Sequence, residues 1–146
     1  MFIENDSFSL GLLKPDCTLR HLTKTIMEMI LETGLEIVAT KTLFLSASDV
    51  EAFYVSCITE NFFAEMSLFL QSGPTIAYLV RGNEAITRLN KLVGSTDPVD
   101  ALPGTIRRMG TDIRHNLAHS SQDSLNFLRE ATIIFNRDEL ETVGII

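Results

Sequence analysis

The sequence is organised by short apolar runs that alternate with segments of helical spacing. Ser7 to Leu13 is a short apolar run ended by Lys14-Pro15-Asp16, which predicts a buried strand running into a turn. Leu22, Ile26, Met29 and Ile30 recur at helical spacing, and Gly34 suits the residue just past a helix end. Leu35 to Leu45 is rich in β-branched residues and predicts a second strand. Ser48-Asp49-Val50-Glu51 has the capping-box pattern and should open a helix through Phe53 and Tyr54. Asn61 is placed to cap a short helix, Phe62 to Leu70, stopped by Ser72-Gly73-Pro74. Thr75 to Val80 predicts a third strand, and Asn83 a helix running to Gly94. A helix from Asp123 or Ser124 through Leu125, Leu128 and Ala131 should lead into a fourth strand, Thr132 to Phe135. This order predicts an α+β chain of the split βαβ type, with helices on one face of a four-stranded antiparallel sheet.

At 146 residues the chain is expected to form one domain, 1–146, large enough for its own core. Twelve basic and 19 acidic side chains give a net charge of −7. That balance argues against a general nucleic-acid coat, whose affinity comes from basic groups on phosphates. The longest charge-free stretch, Met66 to Val80, contains Gln71, Ser72, Gly73 and Pro74 and falls short of the roughly 20 apolar residues a membrane helix needs. The N-terminus, Met1 to Asp6, carries acids where a signal peptide carries bases. Cys17 and Cys57 form no metal pattern. A cytoplasmic location is the expectation.

Ser95 to His119 follows no regular period and contains Pro98, Pro103, Gly104 and Gly110. Irregular stretches of that length are often functional. Of the three histidines, His21 falls in the first turn of a predicted helix and reads as surface, and His115 stands between Arg114 and Asn116. His119 lies among small and polar residues just before a helix that carries Glu130. If that helix packs back over the loop, Glu130 can accept a hydrogen bond from one ring nitrogen. The other nitrogen is then left as nucleophile or base. Read alone, such a histidine serves structure at least as readily. Lys14, Arg107, Arg108 and Arg114 bracket the same region in an acidic chain, which fits either an anionic ligand or solvated loop charges. No Walker-A loop is present, so a phosphate site would use side chains and loop amides.

Together, several segments resemble the nucleoside diphosphate kinases. They are Leu13-Lys14-Pro15-Asp16, Tyr54 with Asn61-Phe62-Phe63, Ser72-Gly73-Pro74, Gly94 to Pro98 followed by Pro103 to Arg107, and Asn116-x-x-His119-x-Ser121. The likeness runs from Ser7 to Phe135. It implies a ferredoxin-like subunit and a ping-pong transfer of a γ-phosphoryl group from a nucleoside triphosphate to a nucleoside diphosphate. The phosphoryl would pass through Nδ1 of His119. By the same resemblance Lys14 would contact phosphate and the sugar 3′-hydroxyl, and Asn116 that hydroxyl. Tyr54 would lie beside the histidine, Phe62 would stack on the base, and Thr96 and Arg107 would bind terminal phosphates. Ser121 and Glu130 would hold the ring. Mg²⁺ would ride on the phosphate oxygens. The family's assemblies imply a homohexamer, with a homotetramer as the alternative, and the loop around Pro98 and Pro103 at its contacts.

The chain departs from the family pattern at five places. Asn90 stands where an arginine is usual and is the residue expected at that phosphate contact. Gln122 replaces an aspartate, Ser120 a glycine or alanine, and Asn61 a proline. The segment between Arg107 and His119 is one residue short. These departures leave an alternative: a catalytically weak member acting as a nucleotide-binding or partner-binding module. The apolar end, Val143-Gly144-Ile145-Ile146, would cover a neighbouring subunit or fray.

Overall fold

In a computed structural model, residues 6–146 are described; residues 1–5, most of the N-terminal segment read above as unlike a signal peptide, lie outside the described residues. Four strands, β1 (Asp6–Leu13), β2 (Glu36–Leu43), β3 (Thr75–Asn83) and β4 (Ala118–Ser120), form one sheet in the order β2-β3-β1-β4. Every neighbouring pair is antiparallel. Among the described residues seven α-helices accompany it: α1 (Pro15–Leu19), α2 (Thr23–Glu32), α3 (Ala47–Phe53), α4 (Phe63–Gln71), α5 (Ala85–Val93), α6 (Ser124–Ile134) and α7 (Arg137–Val143). The predicted α+β, ferredoxin-like architecture is the observed one.

Helices cover both faces of the sheet, not one. Leu10, Leu12, Ala77 and Leu79 pack with Val50 and Phe53 of α3, Leu70 of α4 and Ala131 of α6. Leu13, Tyr78 and Val80 pack with Ile26 and Ile30 of α2 and Leu89 of α5. This explains why β1 and β3 read as continuous apolar runs: a strand covered on both sides loses the inside–outside alternation.

The fourth strand differs from expectation. Thr132 to Ile134 completes α6, and the fourth strand is Ala118–Ser120, which pairs with β1 through Leu12 opposite His119. The β-branched residues Thr132, Ile133 and Ile134 favour a strand locally. However, the Asp123 side chain caps the helix at Asn126 N, and Phe127, Ala131 and Ile134 present one apolar side to the core. Burial of that stripe outweighs propensity. From its middle α6 directs Glu130 to His119 on the edge strand.

Local punctuation also shifts. The capping box is Ser46 with Asp49, not Ser48: the Asp49 amide donates to Ser46 Oγ, and Ser46 N–H donates to the Asp49 carboxylate. Asn61 caps nothing, since α4 begins after Phe62. Asn83 ends β3, and Glu84 precedes α5 in a left-handed conformation. His21 lies between α1 and α2 with φ 57°. The C-terminal segment forms α7, started by a reciprocal Asn136–Glu139 box. Val143 and Ile145 lie against this chain's own core, and Ile146 is exposed.

Candidate active site

The site forms where β1 ends, the edge strand β4 begins and the α3–α4 hairpin leans over both. Lys14, Tyr54, Phe62, Thr96, Arg107, Asn116 and His119 line one cleft of about 310 Å³. Residues more than a hundred positions apart in sequence are thus brought to a common wall. The sheet does this by pairing Leu13 with Ala118, so Lys14 and His119 emerge at the same edge.

His119 is held from behind. Its Nε2 lies 2.8 Å from Glu130 Oε1, and the same carboxylate oxygen accepts a 2.7 Å hydrogen bond from Ser121 Oγ. Glu130 and Ser121 are buried. An ionised carboxylate only accepts, so Nε2 carries the proton and Nδ1 keeps its lone pair. Phe53 meets the imidazole edge-on at a centroid separation of 5.0 Å, and Tyr54 at 5.9 Å. Burial holds the His119 pKa below its ordinary value although Glu130 pulls the other way, and Lys14 and Arg107 add to the depression. The ring is therefore neutral at neutral pH.

The opposite wall is cationic. Lys14 Nζ donates to Asn116 Oδ1 at 2.9 Å, and Asn116 Nδ2 donates to the Thr96 carbonyl at 2.8 Å. This chain of bonds ties the strand end to the long loop. Arg107 donates from Nε to Ala118 O and from Nη1 to Gly94 O, at 3.2 and 3.1 Å. Burial, with Arg107 nearby, lowers the Lys14 pKa to about 8. Tyr54 is pushed the other way: burial raises its phenol above the ordinary value, so it stays protonated. Its hydroxyl has no hydrogen-bond partner among the described residues.

Asn90 is not brought to this cleft. Its Oδ1 accepts from Ser120 Oγ at 2.6 Å and its Nδ2 donates to Gln122 O at 3.4 Å, so the amide braces the segment around β4 from the α5 side. Two contributors were not singled out from sequence. One is the Phe53 ring. The other is the Asp16 carboxylate, whose Oδ2 accepts from Leu117 N at 3.0 Å and steadies a residue with φ 74° two positions before His119. Asp16 was visible within the Lys14-Pro15-Asp16 motif, but its partner lies across the sheet. No group of three or more His, Cys, Asp or Glu able to hold a metal occurs among the described residues. The charged side chains lining the cleft, Lys14, Arg107 and Arg114, are cations. This donor set fits anionic oxygens and not a protein-caged ion.

The model of the nucleoside diphosphate kinase family matches residues 8–140. A nucleoside diphosphate kinase of Bartonella tribocorum is 36% identical over 135 residues, which are 92% of this chain and 95% of that protein. One of Novosphingobium aromaticivorans is 35% identical over 131 residues, 89% of this chain and 94% of its own. Among solved structures, the Halobacterium salinarum nucleoside diphosphate kinase in complex with CDP superposes with a TM-score of 0.88 at 33% identity, covering 92% of this chain and 90% of that one. The Aquifex aeolicus nucleoside diphosphate kinase gives 0.88 at 29% identity, covering 92% and 98%. With fold, cleft and sequence in agreement over nearly its whole length, the chain belongs to the nucleoside diphosphate kinase family.

Proposed function

We propose that the chain transfers the γ-phosphoryl group of a nucleoside triphosphate to a nucleoside diphosphate in two steps, with His119 as the covalent carrier. One observation carries this reading: Nε2 is tied to Glu130 while Nδ1 has no protein partner among the described residues, in a cleft whose other wall is cationic. In the first step the Nδ1 lone pair attacks the γ-phosphorus in line, and the bond to the β–γ bridging oxygen breaks. The diphosphate leaves with that electron pair. In the second step a terminal oxygen of another diphosphate attacks the phosphohistidine, and the P–N bond breaks back to Nδ1.

The remaining roles follow from position. Lys14 and Arg107 stabilise charge on the phosphoryl oxygens, and the Tyr54 ring stands beside His119 in the same cleft. Lys14 and Asn116 meet the sugar hydroxyl, Thr96 the terminal phosphates, and Phe62 the base. Glu130 and Ser121 are positioning residues: they fix the tautomer and stabilise the cationic ring that forms as Nδ1 is phosphorylated. Magnesium carried on the nucleotide would neutralise phosphate charge, and no side chain of the cleft is assigned to it. The chain acts as a homohexamer in the cytoplasm. Support for assembly comes from Val99 and Leu102, 80% and 72% exposed on the long loop, and a mass measurement in solution tests it.

Steady-state rates at varied triphosphate and diphosphate test the two-step scheme. Parallel reciprocal plots are expected, and converging plots would exclude the covalent carrier. Diphosphate binding without turnover would place the chain with the catalytically weak members instead.

A further inference from the structure

The Arg114 guanidinium lies over the Phe62 ring, 3.9 Å from its centroid. Both residues line the cleft. Among the described residues no carboxylate pairs with Arg114, and no protein acceptor takes a hydrogen bond from its guanidinium. Its five donors are therefore uncommitted. The loop that carries it is fixed. Asp112 Oδ1 accepts from the amides of Arg114 and His115 at 2.9 and 2.8 Å, and the His115 ring packs edge-on against Phe69 with centroids 4.5 Å apart. The backbone is thus held, and the Arg114 side chain is what lies over Phe62 in this cleft.

This arrangement bears on base selection, an inference that rests on reading the cleft as the nucleotide site. No ring fits between Phe62 and a guanidinium at that distance. A base stacking on the face that Arg114 covers displaces the guanidinium, and the anchored loop leaves the displaced fork at the base's edge. Displacement costs the same ring contact for every base, so it gives no preference by itself. A base offsets the loss only by presenting acceptors, since a guanidinium accepts nothing. Guanine and hypoxanthine present adjacent O6 and N7 acceptors that match the fork, whereas adenine sets an amino donor beside N7. We infer that Arg114 is a specificity-determining residue that favours 6-oxopurine nucleotides over adenine nucleotides.

The test is equilibrium binding of GDP, IDP and ADP to the full chain and to its R114A and R114K variants. A ratio of affinities cancels any difference in folded fraction. The wild-type chain should bind GDP and IDP at least about fivefold more tightly than ADP. R114A should bring the three to within about twofold, and R114K, a point charge without the fork, should fall between. Equal binding by the wild type, or a preference that survives in R114A, would overturn the assignment and leave transfer through His119 standing. Conversely, an Arg114-dependent preference in a chain that never phosphorylates His119 would uphold the assignment and sink the proposed function. Failure of all three to bind would overturn both.

Discussion

Nε2 of His119 sits 2.8 Å from a Glu130 oxygen that is also bonded to Ser121, so one buried carboxylate sets both the tautomer and the orientation of the imidazole. Glu130→Gln keeps the shape but removes the charge that stabilises the ring once Nδ1 is phosphorylated. A hydrogen bond to a charged group contributes about 1.5–3 kcal/mol, which predicts a fall of about ten- to a hundredfold in the rate of His119 phosphorylation. Rapid-quench measurement checks this, and Ser121→Ala should cost less, because Glu130 keeps its bond to the ring.

The pH profile should be bounded on both sides. Burial keeps His119 below its ordinary value, so Nδ1 stays unprotonated through neutral pH and the first step should weaken only below about 6.5, as the ring gains a proton. Lys14, lowered to about 8, loses its charge above that pH. Bound phosphate favours charged Lys14. Nucleotide binding should therefore take up a proton between about pH 8 and 10, and affinity should fall as pH rises through that window. Calorimetry in buffers of different ionisation enthalpy measures the uptake, and Lys14→Met should abolish it.

Asn90 ties α5 to the segment around the catalytic strand and lines a neighbouring groove instead of the cleft. Asn90→Ala should leave nucleotide affinity within about twofold while lowering stability by about 1 kcal/mol, since Ser120 and Gln122 lose a partner. Urea unfolding alongside a binding titration separates the two effects.

Gly11 pairs with Tyr78 across β1 and β3, and a Cβ on Gly11 would come within 2.2 Å of the phenol ring. Gly11→Ala should cost at least about 2 kcal/mol of stability. Adding Tyr78→Leu to that variant should recover part of the loss, a coupling that a double-mutant cycle measures.

The sheet and most helices were legible because burial writes itself into the sequence as runs and stripes. Leu10, Leu12 and Leu13 declare a strand covered on both sides, and Ile26 with Ile30 a helix face. The strand that carries the nucleophile was not legible. Three residues long and at the sheet edge, Ala118-His119-Ser120 has no alternation to read, while Thr132-Ile133-Ile134 imitates a strand inside a helix. The residues that the structure gathers in the cleft were legible as a motif, from Lys14 through Asn116 to His119. The expectation for Asn90 failed because the spacing to Thr96 says where a residue sits on α5 and nothing about the Ser120 hydroxyl that takes its amide. The Arg114–Phe62 stack was beyond reach for the same reason, since it depends on how an irregular loop folds over α4.

The central claim is tested most directly by incubating the chain with a γ-labelled nucleoside triphosphate and no acceptor, then locating the label. Acid-labile, alkali-stable phosphate on His119, discharged by added nucleoside diphosphate and absent in His119→Ala, is the predicted result. Label that persists in His119→Ala, or none in a wild-type chain that binds the nucleotide, would contradict the account.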